Sequence, residues 1–401
     1  MLKKQVAIVK TKSKPDWPAI RQAVEGTINL IAGFREIIRP GMKVLLNPSW
    51  VAPPTETEKG CITQPEVVRA VADIIKGMGA RPIIAESSAV GVDSEKIIEE
   101  SGYKKLREAG YEVIDLKKTA KVMIPVPNGK VFSEIESYRL VQEADVIISL
   151  PKMKTHDQTE ITCAIKKLKG LLSDRYKRLM HQEGLFGGVV DLLAALKPKL
   201  AIVDAIYCQE GLGPVFGRPV EMDLIIAGKD LVAVDAVCGR IMGFEPEEIP
   251  LTVEAAKRGV GTYQKEKIEI LGEPIEKVGR RFLRSTEDNP VQVEGFHLLH
   301  GGITCTGCRN TVMSALVDMR NANQLRYLPG VLVITGDPEI PSSIVYEELV
   351  SVGKCVPEGK RGRRHVRGCP PNNAYVVQAI IGERGKAKRM YAEGDLESTE
   401  V

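Results

Sequence analysis

Apolar residues are distributed along the chain in two alternating textures. Short, mostly apolar runs over 42–48, 82–86, 111–116, 145–150, 200–204, 224–227 and 268–271 predict strands. Between them, apolar positions at helical spacing predict helices. The clearest begins at Thr63-Gln64-Pro65-Glu66 and carries Val67, Val68, Val71, Ile74, Ile75 and Met78 on one face. A charged helix is expected over 93–109, and others over 230–242 and 251–258. Asn128-Gly129, between apolar runs at 122–126 and 131–135, predicts a hairpin. Strands alternating with helices predict an α/β fold, a doubly wound and mostly parallel sheet covered on both faces. This pattern defines a first domain over 1–285. A second, smaller α/β module over 290–385 surrounds the buried strand expected at 331–336, and 386–401 reads as a polar tail.

Composition narrows the function classes. With 401 residues, 43% of them hydrophobic and 27% charged, the chain is long enough for more than one core. A net charge of +4 and only 5% aromatic residues argue against nucleic acid, because few platforms exist for base stacking. The start of the chain lacks the apolar core of a signal peptide, and no apolar stretch is long enough for a bilayer, so no membrane role and a cytoplasmic location are expected. In that compartment the eight cysteines stay reduced, which favours metal ligation over disulfides.

Four of those cysteines form a set. Cys305 and Cys308 stand in the glycine-rich run Gly301-Gly302-Ile303-Thr304-Cys305-Thr306-Gly307-Cys308, followed by Gly353-Lys354-Cys355 and Gly368-Cys369-Pro370-Pro371. Structural zinc usually gathers two tight pairs, whereas one tight pair plus two scattered thiols suits a cubane better. Cys163, Cys208 and Cys238 sit in apolar surroundings and read as packing residues, and Cys61 reads as a loop thiol. The order C-x-x-C, G-K-C, G-C-P-P-N resembles the proximal 4Fe-4S site of nickel-iron hydrogenase small subunits and of the related complex I subunit, over 301–381. That resemblance implies a 4Fe-4S cluster on Cys305, Cys308, Cys355 and Cys369, in loops of a flavodoxin-like sheet. It departs in one respect, since no cysteines remain for the further clusters of hydrogenases.

The expected strand over 145–150 delivers the chain into Pro151-Lys152-Met153-Lys154-Thr155-His156. Ligands of open parallel sheets collect beyond the carboxyl ends of strands. Lys152, Lys154 and His156 are therefore candidate catalytic residues, the lysines holding an anion and His156 transferring a proton. Asn47, Ser49, Glu86, Ser87, Ser88 and Asp204 stand at neighbouring strand ends. Lys166, Lys167, Lys169, Arg175, Lys177 and Arg178 extend the cationic stretch, although a solvated helix face explains Lys166 to Lys169 equally well. His181 is a weaker candidate of the same kind. These motifs, with Asp204, Gly211 to Gly217 and Val232-Ala233-Val234-Asp235-Ala236, resemble the domain of unknown function 362 family over 40–260. That family implies a fold and an association with iron–sulfur segments, but no reaction.

Two readings follow. In the first, the protein is an iron–sulfur redox protein passing electrons to a substrate or acceptor in the cationic cleft. Its partner would be an acidic redox protein such as a ferredoxin, docking on the basic run Lys360, Arg361, Arg363, Arg364, His365 and Arg367. In the second, it is a non-redox domain binding an anionic small molecule, its cysteines holding a structural metal.

Overall fold

The computed structural model describes residues 3–53, 60–215, 217–287 and 291–382. The tail expected over 386–401 lies outside the described residues. The protein is a mixed α/β structure with one large, mostly parallel sheet flanked by helices and a separate small parallel sheet.

In the large sheet the parallel run proceeds Leu200–Glu210, Val146–Leu150, Lys43–Pro48, Arg81–Glu86, Glu112–Asp115. On the other side of Leu200–Glu210 lies Arg218–Gly228, antiparallel to it, then Lys4–Lys10 and Ile268–Gly272. Alternate side chains enter opposite cores, as a strand's two-residue period requires. Val44 and Leu46 pack with Val67, Val71 and Ile75 of the helix Pro65–Gly77, whereas Leu45 packs with the opposite core that holds Val189, Leu192 and Val234. Burial on both faces is why strand centres such as Val44-Leu45-Leu46 and Val146-Ile147-Ile148 are continuously apolar rather than alternating.

Three expectations are altered in detail. The charged helix of 93–109 is two helices, Ser94–Glu100 and Tyr103–Glu108, broken at Gly102, whose φ of 88° cannot continue a right-handed helix. The hairpin pairs Lys121–Pro125 with Glu134–Tyr138, so its second strand starts later than expected. The backbone N–H groups of Lys130, Val131 and Phe132 are drawn away to the buried carboxylate of Asp191 at 2.8, 2.8 and 2.9 Å. Finally, the strands expected at 200–204 and 224–227 are each eleven residues long and form one extended antiparallel ribbon.

In the second unit, His297–His300, Val331–Thr335, Glu348–Val352 and Arg364–Val366 form an all-parallel sheet in that order. The helices Thr306–Asn321 and Asn373–Ile381 pack on it through Val312, Leu316, Val376 and Ile380.

The two units are bonded to each other at the carboxyl end of Val146–Leu150. Gln158 Nε2 donates to Thr311 Oγ1 at 2.6 Å and to the Pro371 carbonyl at 2.9 Å. The Cys369 N–H donates to the His181 carbonyl at 2.8 Å, and the Leu185 N–H returns to the Cys369 carbonyl at 2.8 Å.

Candidate functional site

A cavity of about 360 Å³ lies where the carboxyl ends of the large sheet meet the second unit. The first unit lines it with Glu86, Ser87 and Ser88 from one strand end, with Lys154 and His156 from the next segment, and with Lys166, Lys167, Lys169, Lys177 and His181. Ser314, Asp318, Asn372 and Asn373 of the second unit close the opposite wall.

The strand Lys152–His156 alternates its side chains about the sheet, yet the two lysines end differently. Lys152 does not line the cavity: its ammonium, 1% exposed, meets the fully buried Asp204 carboxylate at 2.8 Å. The physical reason is that an Asp204 without a counter-ion would be a buried unpaired charge, so the nearest ammonium is held there. Lys152 is thus a structural cation rather than an anion holder. Lys154 is equally buried, but donates to the Cys61 carbonyl at 2.8 Å and the Pro214 carbonyl at 2.9 Å. Burial pulls it down to about 7, with Lys166, Lys152 and Lys167 adding to the effect and Cys61 opposing it. Cys61 is itself buried rather than an exposed loop thiol.

His156 Nδ1 faces two partners that ask for opposite tautomers: the Gln158 N–H donates to it at 3.0 Å, and the Asp157 carboxylate lies 2.8 Å away. Burial, then Lys166, pull its pKa to about 4, so the ring is neutral near neutral pH. Glu86 is buried against the Lys167 ammonium and the Asn47 side-chain amide, and burial raises its pKa despite Lys167. Asn47 therefore stands behind the cavity as the support of Glu86. Asp235 accepts from the Ala164 and Ile165 N–H groups at 2.6 and 3.3 Å, a structural bond at the start of the helix Ala164–Lys167.

The cations left over for a ligand are those a helical reading undervalued. Lys166 has no hydrogen-bond or carboxylate partner among the described residues, and burial brings it to about 8 against the opposing pull of Asp157. Lys169 is bonded to His181 Nε2 at 2.9 Å, and burial lowers both groups further. Lys177, in contrast, is already committed to the Ser87 and Ser88 carbonyls and to Asp174, and burial brings it to about 8. The signal for this role was the cationic excess of 152–178, which composition showed but periodicity could not orient.

Because Lys166 carries its charge below about 8 and loses it above, an anion that stabilises the ammonium should bind best below that pH. Sulfate, whose own charge is constant in this range, is expected to weaken by up to about tenfold per pH unit as Lys166 deprotonates. Lys166→Ala should lower sulfate affinity by about tenfold and flatten the profile, as read by calorimetric titration. An unchanged profile would assign the titration to Lys177 or Lys154.

The four cysteines gather at the carboxyl ends of the small sheet: Cys305 and Cys308 after His297–His300, Cys355 after Glu348–Val352, Cys369 after Arg364–Val366. Cys305 and Cys355 are exposed, Cys369 is half-buried and Cys308 is buried. A hydrogen bond from Cys308, joined by the backbone N–H groups of Cys308 and Gly307, lowers the Cys305 thiol. The same bond and burial raise Cys308, to which Cys369 and Cys355 also contribute. Burial, with Cys305 and Cys355, raises Cys369. The sulfurs therefore lie within one another's fields. Gly353, at a φ of 102°, passes so close to Cys308 that a Cβ would stand 2.9 Å from its sulfur. Among the described residues no three His, Cys, Asp or Glu side chains close on one metal ion. The four thiols come from three loops at this end of the small sheet, with Gly353 clearing space beside Cys308.

A family model described as a domain of unknown function, DUF362, matches residues 44–240. A thylakoid-associated protein, sll1697, of Synechocystis sp. is 32% identical over 260 residues, spanning 62% of this chain and 78% of that protein. The chain belongs to the DUF362 family. Every cavity residue of the first unit lies inside the DUF362 match, while the four cysteines and the wall residues Ser314, Asp318, Asn372 and Asn373 lie beyond it. The apoprotein of lactate racemase from Thermoanaerobacterium thermosaccharolyticum aligns with a TM-score of 0.38 at 10% identity, over 95% of this chain and 91% of that one. Among the described residues no helix is long and apolar enough to cross a membrane.

Proposed function

We propose that this protein is an iron–sulfur oxidoreductase acting on a small anion, with one 4Fe-4S cluster on Cys305, Cys308, Cys355 and Cys369 and its substrate in the lysine-lined cavity. The observation that carries the reading is the contact between the two sites: the Cys369 N–H is bonded to the His181 carbonyl at 2.8 Å, and His181 itself lines the cavity. His181 thus touches both the Cys369 loop and the ligand space. When bound, the cluster supplies or takes up single electrons.

The chain's own residues do the rest. Lys166, charged below about 8, and Lys169, which donates N–H groups in either protonation state, hold the anionic group, and the Lys166 charge favours a substrate that gains negative charge. His156, neutral near neutral pH, holds or moves a proton at Nε2, while Nδ1 is tied to Gln158 and Asp157. Glu86 and Asp157 keep the cationic wall from excessive mutual repulsion. A reducing compartment, the cytoplasm, suits the exposed thiols Cys305 and Cys355.

Anaerobic purification with iron, sulfide and zinc analysis tests this. The expected preparation is brown, with about four iron and four sulfide per chain. Stoichiometric zinc without sulfide would leave the non-redox, anion-binding reading in its place.

The electron donor in this reading is an acidic protein such as a ferredoxin. Of the basic run, Arg363 and Arg367 are exposed, whereas Arg364 is committed to Glu348 at 3.1 Å and Arg361 to the Val356 carbonyl at 3.0 Å. Reversing Arg363 and Arg367 to Glu should slow reduction by an acidic ferredoxin about tenfold at low ionic strength, because rim charges act mainly on association rate. Iron content should not change. Equal rates in 10 mM-range salt, on the order of the longest screening lengths, would remove the docking role.

A further inference from the structure

Lys154 differs from the other cavity lysines in what it donates to. Lys167 faces Glu86, Lys177 reaches Asp174 at 3.2 Å, and Lys169 meets the His181 ring. Its strand neighbour Lys152 is paired with Asp204. The Lys154 nitrogen, 1% exposed, has two neutral carbonyls as its partners, those of Cys61 and Pro214, and no carboxylate among the described residues.

That cage suits an amine better than an ammonium. A neutral amine has two N–H groups and one lone pair, so two carbonyl acceptors use both hydrogens and leave the pair in the third tetrahedral direction. Lys154 lines the cavity, and no third partner occupies that direction among the described residues. The cage is also rigid. The Asp157 N–H donates to the Gly213 carbonyl at 2.9 Å and Thr155 Oγ1 to the Gly211 carbonyl at 2.8 Å, so the strand bearing Lys154 also fixes the loop that offers the Pro214 carbonyl. A Cβ at Gly213 would stand 2.0 Å from the Thr155 carbonyl oxygen, which shows how closely loop and strand are pressed together. Burial and the neighbouring cations Lys166, Lys152 and Lys167 favour the uncharged form, as for other desolvated nucleophilic lysines.

We propose that Lys154 is a nucleophilic amine that forms a Schiff base with the aldehyde or ketone group of a small oxo-acid bound in the cavity. The nitrogen lone pair attacks the carbonyl carbon, the C=O π bond opens and the oxygen takes a proton. The resulting carbinolamine loses that oxygen as water, and C=N replaces C=O. Both hydrogens of the water come from the amine, so the step needs no oxidant or reductant. Lys166 and Lys169 hold the carboxylate of the same molecule. The inference rests on the cavity as the anion site and is independent of the cluster.

The test uses the full chain as purified, incubated with glyoxylate and cyanoborohydride, which reduces an imine to a stable secondary amine. Peptide mass spectrometry then locates the adduct. The expected result is a saturable adduct on the Lys154 peptide, formed at least about tenfold faster than at exposed lysines such as Lys96 and Lys118. Mapping on the unaltered chain requires no variant to fold. Lys154→Arg, checked for native circular dichroism, should lose that adduct and keep the background labelling. Label on exposed lysines with Lys154 unmodified, or label moved to Lys166 or Lys169, overturns the proposal. Metal and sulfide are measured on the same sample. A zinc-bearing, sulfide-free protein that still labels at Lys154 defeats the redox reading and supports this one.

Discussion

Replacing Cys369 with alanine is expected to strip most of the iron and sulfide from the anaerobically purified protein, whereas replacing Cys163 leaves both in place. The contrast follows from position. Cys369 ends the third cysteine loop, and its thiol feels Cys305 and Cys355. Cys163 is fully buried in the first unit beside Cys238 and the Asp235 carboxylate. Metal binding free energy is folding free energy for the loops that hold it. The Cys369→Ala protein should therefore also lose resistance of its second unit to proteolysis. Full iron content in the Cys369→Ala protein would remove Cys369 from the ligand set, and iron loss in Cys163→Ala would move the metal to the core of the large sheet.

Asp204→Ala should cost about 3–5 kcal/mol of stability, the range found when one partner of a buried ion pair is removed. The carboxylate accepts from four donors at once: the Lys152 ammonium at 2.8 Å, the Gln64 backbone N–H at 2.7 Å, the Gln64 side-chain amide at 3.2 Å and the Ile206 N–H at 3.2 Å. Its loss leaves the Lys152 charge without a partner 1% exposed to water, and frees the N-cap residue of the helix Pro65–Gly77. Denaturant unfolding measures the cost. A loss below about 1 kcal/mol would mean that Lys152 escapes to water or to another acceptor. Lys152→Met, which removes the cation and keeps the aliphatic stem, should destabilise less than Asp204→Ala, because Asp204 keeps its donors at Gln64 and Ile206.

The sheet was legible because its strands are buried on both faces, which leaves continuous apolar runs such as 145–150 bounded by Pro151 and polar residues. The helix Pro65–Gly77 was legible for a complementary reason, since it buries one face and opens with proline. What sequence did not give was anything decided by distant partners. Nothing local at Lys130, Val131 and Phe132 announces that Asp191 will capture their N–H groups and shift the hairpin. Likewise, Lys152 and Lys154 are equivalent by strand periodicity, and only the presence of Asp204 beside one and two carbonyls beside the other separates them. Lys166, Lys169 and His181 come from three short helices, Ala164–Lys167, Leu168–Leu171 and Asp174–Glu183, whose facing is set by packing on elements distant in the chain. Asp318 and Asn373, bonded to each other at 2.6 Å in the cavity wall, come from helices the apolar pattern did not mark at all.

Gly170 sits where a side chain would have to occupy the space of the Glu86 carboxylate: an added Cβ would stand 1.9 Å from Oε1 and 2.0 Å from Oε2. The two positions are therefore not free to vary separately in a lineage. A chain that acquires alanine at 170 must first shorten or expel the acid at 86, and with it the counter-charge of Lys167. Conversely, once residue 86 is small, nothing steric maintains glycine at 170. Pairwise covariation between these two columns, with glycine accompanying glutamate, is the trace that this contact should leave across descendants of the same ancestor.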